Sequence, residues 1–464
     1  MEQLGSRLLK EGVITREQLD AACERQRRCG GRIGQNLVEL GYLSESELSR
    51  FFMLTPPPPQ TIEETGLESR QLLDLVLKHL LFMGEFRLAD VAERVRLSLG
   101  VCERLMEILR RDKLVEVLGG GGYAAVTYTY KLSDSGRSRG KELLEVCRYV
   151  GPAPVTLTSY REMAELQTIR SAIVSSESVQ QAFSHLIIGD ETLKLLGPAI
   201  SSGRAVFLYG PAGNGKTAIA ETIGNILPDS IFIPHAITVG GEIIAIFDPV
   251  NHQPVDGDHG GDPRWVKIRR PVIIAGGELV LRMLDLDFNP VSKYYEASLQ
   301  MKANNGMFII DDFGRQQIDP QHLLNRWIVP LDRGVDYMTL HTGMKFAIPF
   351  DMLVIFSTNL EPRQLVDEAF LRRIQYKIKI DHPTVEQFRE IFIRVCSASG
   401  VEFKAEVFDY LVSHYYRRLA VNFNACHPRD LVSHILVNAR YYRQPPVMTR
   451  ESMDDAWQLY FVDM

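Results

Sequence analysis

Apolar residues follow two rhythms along this chain. In several places they run unbroken for four or five residues before giving way to glycine or a polar side chain, among them residues 205–209 (AVFLY), 307–310 (MFII) and 353–356 (LVIF). Runs this short, with no polar alternate, predict strands buried on both faces, as in a parallel sheet whose site lies at the strands' carboxyl ends. Elsewhere apolar positions recur at helical spacing. Ile219, Ile223, Ile226 and Leu227 predict a helix soon after the first run, closed by Pro228. Leu72, Leu75, Val76 and Leu80 predict another, and residues 88–95 and 99–112 two more. Residues 114–117 (LVEV) and 125–132 (AVTYTYKL) predict two strands around a tip of four glycines, 119–122. Residues 335–350 predict a hairpin, and residues 384–400 a helix ended by Gly400.

The first apolar run opens directly onto GPAGNGKT, residues 210–217, which fits the phosphate-loop pattern GxxxxGK followed by Ser or Thr at every fixed position. Gly210, Pro211, Ala212, Gly213, Asn214 and Gly215 would curl so that backbone N–H groups point inward at phosphate, aided by the positive end of the following helix. Lys216 would reach the outer phosphates, and the Thr217 hydroxyl would ligate magnesium. The second run delivers Asp311 at its carboxyl end, where it can orient the same metal. Strand, glycine loop and helix in this order predict nucleoside triphosphate binding, with ATP and Mg2+ as the ligands.

Composition narrows the setting without changing it. The 464 residues are 45% hydrophobic and 24% charged, ordinary values for a chain of several globular domains, and a net charge of -6 gives no global bias towards nucleic acid. No apolar run approaches the ~20 residues of a membrane span, and the N-terminus lacks a secretory core, so a cytoplasmic location without membrane insertion is expected. The six cysteines are scattered, with no CxxC pair, and predict neither disulfides nor a structural metal. His252, Asp256, Asp258 and His259 sit in a glycine-rich stretch, 240–265, that reads either as a metal site or, preferred here, as a solvated loop.

The first 53 residues contain a repeat. Residues 4–19 align with 33–48 at a constant offset of 29, so that Gly5, Leu8, Gly12, Ile14 and Leu19 match Gly34, Leu37, Gly41, Leu43 and Leu48. Each half predicts a short helix, a glycine turn and a second helix, capped by Thr15 with Gln18 or by Ser44 with Glu47. This doubled pattern resembles the N-terminal domain of type II secretion and type IV pilus assembly ATPases, which implies cyclic di-GMP as a ligand and pilus or secretion machinery as a partner. Arg32 matches a family arginine in the second half, while Gln3 stands at the equivalent place in the first; Gln26 matches a family glutamine whose counterpart here is Thr55. A helical protein-docking module without a ligand is the alternative. Residues 54–66, with Pro56 to Pro59 in succession, predict a stiff linker holding this domain apart.

Residues 67–150 resemble a winged helix. Its third helix carries Arg104, Arg110, Arg111 and Lys113, but Glu103, Glu107 and Asp112 interleave with them. The mixed charge favours a protein-binding role over a DNA-binding one, which stays open.

Residues 175–380 and 381–464 together resemble an AAA+ module, an αβα sheet domain followed by a helical lid. The resemblance implies that Ile188 and Gly189 line the adenine, that Asp312 stands where the family has glutamate to polarise the attacking water, and that Asn359 contacts the terminal phosphate. It implies an arginine finger at Arg372 or Arg373, with Arg373 the first choice, and a phosphate-reporting arginine at Arg429 in HPRDL. The whole is therefore expected to be a multidomain α/β chain: a Mg-ATP-dependent ATPase, slow because Asp312 is one methylene short, forming a homo-oligomeric ring, a hexamer, that remodels or assembles a protein partner. An ATP-switched DNA-binding regulator and a slow-turnover scaffold are the other two readings.

Overall fold

A computed structural model describes residues 5, 8–9, 12–29, 33–44, 47–48, 56–120, 128–171, 174–227, 230–257, 261–365 and 368–461. Gln3, Arg32 and Thr55, the glycine tip beyond residue 120, Pro228, Asp258 and His259 lie outside these residues.

The N-terminal repeat is a repeat in three dimensions. The Val13 N–H donates to Leu8 O at 2.9 Å and the Tyr42 N–H to Leu37 O at 2.9 Å, across turns at Gly12 (φ 71°) and Gly41 (φ 72°). The Thr15 N–H reaches Gln18 Oε1 at 2.8 Å and the Ser44 N–H reaches Glu47 Oε2 at 2.9 Å, so both caps form as spaced. Helices α1 (Arg16–Cys29) and α2 (Ile33–Glu39) are joined by the Arg25–Glu39 ion pair. Leu8, Ile14 and Leu19 share one small core with their counterparts Leu37, Leu43 and Leu48.

The next unit combines α3 (Ser69–Leu80), β1 (Glu85–Arg87), α4 (Leu88–Val95), α5 (Leu99–Arg111), β2 (Val115–Gly120), β3 (Tyr128–Leu132) and α6 (Asp134–Val146). Its three strands form an antiparallel sheet in the order β1-β3-β2. Leu72, Leu75, Val76 and Leu80 of α3 enter the same core as Val91, Val95, Leu105 and Leu109. Strand β1 and helix α6 had no clear signal in the sequence, one being three residues long and the other largely polar.

The central layer is a five-stranded sheet of β4 (Val206–Tyr209), β5 (Val272–Ala275), β6 (Met307–Ile310), β7 (Leu353–Thr358) and β8 (Tyr376–Lys379), ordered β5-β6-β7-β4-β8 with every pairing parallel. The unbroken apolar runs now have their cause. Ala205, Phe207, Phe308, Ile310, Val354 and Phe356 pack on one face, while Val206, Leu208, Met307, Ile309, Leu353 and Ile355 pack on the other. Helix α7 (Lys216–Ile226) covers the second face through Ile219, Ala220 and Ile223.

The long stretch between β4 and β6 is built rather than loose. A second five-stranded sheet runs in the order Asp287–Asn289, Tyr294–Glu296, Glu242–Ala245, Ala236–Val239, Val155–Thr156, and Ser230–Pro234 pairs antiparallel with Trp265–Arg269. The hairpin expected before β7 is formed by Val335–Thr339 and Lys345–Pro349. Residues 56–66 are pinned rather than freely extended: Arg264, buried and paired with Asp262, donates to Thr65 O and Pro154 O, and the Asp262 N–H donates to Pro56 O at 2.7 Å.

The C-terminal layer is helical, with α8 (Val385–Ala398), α9 (His427–Tyr442) and α10 (Arg450–Tyr460) around a core of Phe388, Phe392, Leu431, Ile435 and Trp457. Thr384 and Gln387 cap α8 reciprocally. Among the described residues no helix is long and apolar enough to cross a membrane.

Candidate active site

Strand β4 ends at Tyr209, and the chain turns at once through Gly210. A side chain at Gly210 would lie 2.2 Å from Ile380 O, and its φ of 138° is unfavourable for any residue with a Cβ. Gly213, at φ 77°, likewise leaves room for Cys426 Sγ, which would meet a Cβ at 2.6 Å. The loop closes on Gly215, which caps α7, so Lys216 and Thr217 occupy the first helical turn. The buried Lys216 ammonium donates to Gly210 O and Pro211 O, each at 2.9 Å, and to Asn359 Oδ1 at 2.5 Å. Burial lowers its pKa from the ordinary lysine value, and the nearby Asp312 and Asp311 carboxylates oppose that shift.

Two strands bring the other groups to the same edge. Asp311 follows β6, where its N–H donates to Ala275 O of β5, and its Oδ2 accepts the Thr217 hydroxyl at 2.8 Å. Two cis ligands of an octahedral magnesium, with bonds near 2.1 Å, stand about 3 Å apart, so this pair of oxygens fits the ion. Thr217 and Asp311 would hold it, the ion supplying charge neutralisation for phosphate oxygens. Asp312 takes a left-handed backbone (φ 49°), a region in which Asp is commoner than most side chains. Its N–H donates to Asp311 Oδ1 at 3.1 Å, and its own Oδ1 accepts from Asn359 Nδ2 at 3.2 Å. Asn359 follows β7 and therefore links Lys216 to Asp312.

The helical layer reaches the loop directly. The Cys426 N–H donates to Gly213 O at 2.9 Å, and the Ala425 N–H donates to Asn214 Oδ1 at 3.1 Å. His382 Nδ1 lies 2.9 Å from Phe423 O and 2.8 Å from Asn424 Oδ1, which requires the proton on that nitrogen. His382 and Asn424 were missed as site residues, and Asn214 was read only for its backbone in the loop, because nothing in sequence marks side chains that hold one layer against another. Ile188 packs at the margin of the sheet core, and Gly189 approaches Gln387 of α8, putting both between sheet and helices. Arg429 sits in the first turn of α9 but turns outward. It is exposed, its Nε on Asp430 Oδ1 at 3.2 Å, and among the described residues its side chain makes no hydrogen bond to the glycine loop.

Arg372 and Arg373 are at the other end of the sheet. They precede β8, whose first residue Tyr376 pairs with Val206, the start of β4, whereas the glycine loop follows the end of β4. At about 3.3 Å per residue, that separation is roughly 13 Å along the strand, so neither arginine serves its own chain's loop. Arg373 Nε is bonded to Asp332 Oδ2 at 2.7 Å, while Arg372 is exposed and makes no ion pair among the described residues.

His252 is not a metal ligand. It is buried, Nδ1 accepting from the Asp248 N–H at 3.0 Å and Nε2 donating to Lys302 O at 2.9 Å, so both nitrogens are spent on holding the loop. Among the described residues no group of three or more His, Cys, Asp and Glu side chains is placed to hold a metal. Cys23, Cys102, Cys147, Cys396 and Cys426 are free thiols.

A family described as a domain of unknown function, DUF8689, matches residues 384–459, most of the C-terminal helical layer. No curated protein matches the chain. Among solved structures, a RuvB variant from Thermotoga maritima is similar over 63% of this chain and 72% of its own, at 14% identity and a TM-score of 0.35. NtrX from Brucella abortus is similar over 64% and 57%, at 12% identity and a TM-score of 0.36. Domain III of the Thermotoga maritima replication initiation protein DnaA is similar over 61% and 98%, at 14% identity and a TM-score of 0.36.

The chemistry available at the sheet edge follows from these contacts. A buried ammonium, a hydroxyl–carboxylate pair suited to magnesium, a second carboxylate and a carboxamide face one another at the mouth of a glycine loop and a helix N-terminus. Such a set can bind a triphosphate and direct water at its terminal phosphorus.

Proposed function

We propose that this chain is a Mg-ATP-dependent ATPase of the AAA+ kind, which assembles into a hexameric ring and couples turnover to remodelling or assembly of a protein partner. The observation that carries the reading is the convergence of Lys216, Thr217, Asp311, Asp312 and Asn359 at one edge of a parallel sheet through hydrogen bonds of 2.5 to 3.2 Å. In the reaction a water oxygen bonds to the terminal phosphorus, the bond to the bridging oxygen breaks, and ADP leaves with that electron pair. The water's proton passes towards Asp312, while Lys216 offsets charge on the phosphate oxygens.

The two-ended arrangement of the sheet supports the ring reading. A guanidinium at Arg372 or Arg373 can act only on a neighbour's nucleotide, so catalysis belongs to an interface. The regulatory input falls to the N-terminal repeat, with cyclic di-GMP or a pilus or secretion component as its ligand. Residues 67–150 act as a winged helix that contacts protein: Arg104 is paired with Glu107 and Arg111 with Asp112, leaving little unbalanced positive charge for a duplex.

The test is phosphate release measured over a range of protein concentrations. Specific activity should fall on dilution and vanish in Lys216→Ala; activity that is unchanged down to nanomolar protein would contradict the ring.

A further inference from the structure

At the amino-terminal edge of the central sheet lies a cavity of about 530 Å³ whose walls include Arg170, Arg204, Arg372, Arg373 and Asp332. These guanidiniums come from three separate places: Arg170 from a short helical turn, Arg204 from just before β4, and the other two from just before β8. Four positive side chains therefore face a space whose lining holds one carboxylate, and Asp332 is committed to Arg373.

Arg170 is the informative member. Its nearest acidic group, Asp351, already accepts from the Thr168 hydroxyl at 2.8 Å, the Ile169 N–H at 2.9 Å and Asn305 Nδ2 at 2.8 Å. Arg170 Nε stays 3.8 Å from that carboxylate and, although buried, makes no hydrogen bond. Arg204 and Arg372 are exposed and make no ion pair among the described residues. A buried donor left without an acceptor is costly, and two carboxylates, Asp351 and Asp332, beside four guanidiniums leave a surplus of positive charge, so the cavity suits an anion with several oxygens.

We propose that this cavity receives the triphosphate bound by an adjacent copy of the chain, and that Arg170 and Arg204 join Arg372 and Arg373 in neutralising it. The inference rests on the ring reading above and extends it from one finger to a cluster. Its size suits a polyphosphate end rather than a single oxyanion. Water supplies the attacking oxygen and ADP departs as before; the cluster stabilises the charge on the phosphoryl oxygens without exchanging a proton.

Mixing full-length variants tests it. Lys216→Ala keeps all four arginines but cannot hold its own nucleotide; the double variant Arg170→Ala with Arg204→Ala keeps its glycine loop but offers a weakened cluster. Each alone should turn over ATP on the order of 10² to 10³-fold more slowly than the native chain. A one-to-one mixture should recover at least tenfold over either, because an intact loop then meets an intact cluster, a rescue that a merely misfolded variant cannot give. If that mixture stays low while Lys216→Ala mixed with Arg372→Ala and Arg373→Ala recovers, the ring stands and the wider cluster is overturned. If neither mixture recovers and native activity ignores dilution, the ring reading itself fails. In a second arm, Lys216→Ala is held at a concentration where sedimentation shows monomer and titrated with inorganic tripolyphosphate. Heat that disappears with Arg170→Ala and Arg204→Ala is expected, since free polyphosphate then takes the place of the neighbour's; no heat would show that these arginines do not gather a polyphosphate and would overturn the cluster.

Discussion

Asn359 accepts from the Lys216 ammonium at 2.5 Å and donates to Asp312 at 3.2 Å through the other end of the same carboxamide. The orientation is forced, since an ammonium only donates and an ionised carboxylate only accepts. Asn359→Ala should therefore leave nucleotide binding within a few-fold of native while slowing phosphate release by about 10²-fold, the cost of a reacting group misplaced by ~1 Å. A fluorescent nucleotide titration beside a phosphate-release assay separates the two effects.

Asp312→Asn keeps the shape of the side chain and remains compatible with the left-handed backbone at φ 49°. It should bind ATP normally and lose turnover by about 10² to 10⁴-fold, the range expected for removing a general base. Retained turnover would show that this carboxylate does not direct the water. Asp312→Glu adds one methylene of reach but loses the easy backbone fit, so a faster enzyme of lower thermal stability is the expected outcome.

Gly210→Ala combines a Cβ placed 2.2 Å from Ile380 O with an unfavourable φ of 138°. Strain and overpacking together should destabilise the chain by about 3 kcal/mol or more, seen as a lowered denaturant midpoint with nucleotide binding lost.

Asn214→Ala removes the acceptor for the Ala425 N–H, one of two bonds joining the glycine loop to the start of α9. Losing about 1 kcal/mol should speed amide exchange at residues 425 and 426 roughly fivefold. Mass-spectrometric hydrogen exchange on the nucleotide-free protein reads this directly, and unchanged exchange would mean the layers are held elsewhere.

His427 provides the pH dependence. Burial in the helical core pushes its pKa down to about 4, with Asp430 pulling it up and His382 adding to the fall, and its Nδ1 contacts the Tyr416 hydroxyl at 2.9 Å. The unfolded chain, with an ordinary value of 6.5, binds the proton first, so stability is full above pH 6.5 and drops as pH falls from 6.5 towards 4. Denaturant midpoints across that window should decline in the native chain and decline less in His427→Gln.

The glycine loop and its strand were legible because the pattern is contiguous: eight residues, GPAGNGKT, carry the turn, the charge and the hydroxyl together. Asp311 and Asn359 were legible for a related reason, each ending an apolar run whose alternate residues fill opposite faces of the sheet. The N-terminal repeat was readable because two copies of one pattern had to satisfy the same turn bonds at residues 8 and 37. The second sheet was hidden by its own brevity. Strands of two to five residues with mixed burial, such as Val155–Thr156 paired with Ala236–Val239, carry no local period that separates them from loop. The reading of 240–265 as a loop with a conceivable metal failed on His252, whose role is set by Asp248 and Lys302. The arginine-lined cavity was invisible for the plainest reason, since Arg170, Arg204 and Arg372 meet only after folding.

Arg264 ties three distant segments together. One sequestered guanidinium grips its own turn through Asp262 while holding the carbonyls of Thr65 and Pro154, positions 199 and 110 residues away in sequence. A joint of that kind resists shear, because no leg can slide without stranding charge in a dry interior. A displacement at residues 262–264 would therefore pass into residues 56–66 as through a strut, with little slack to absorb it.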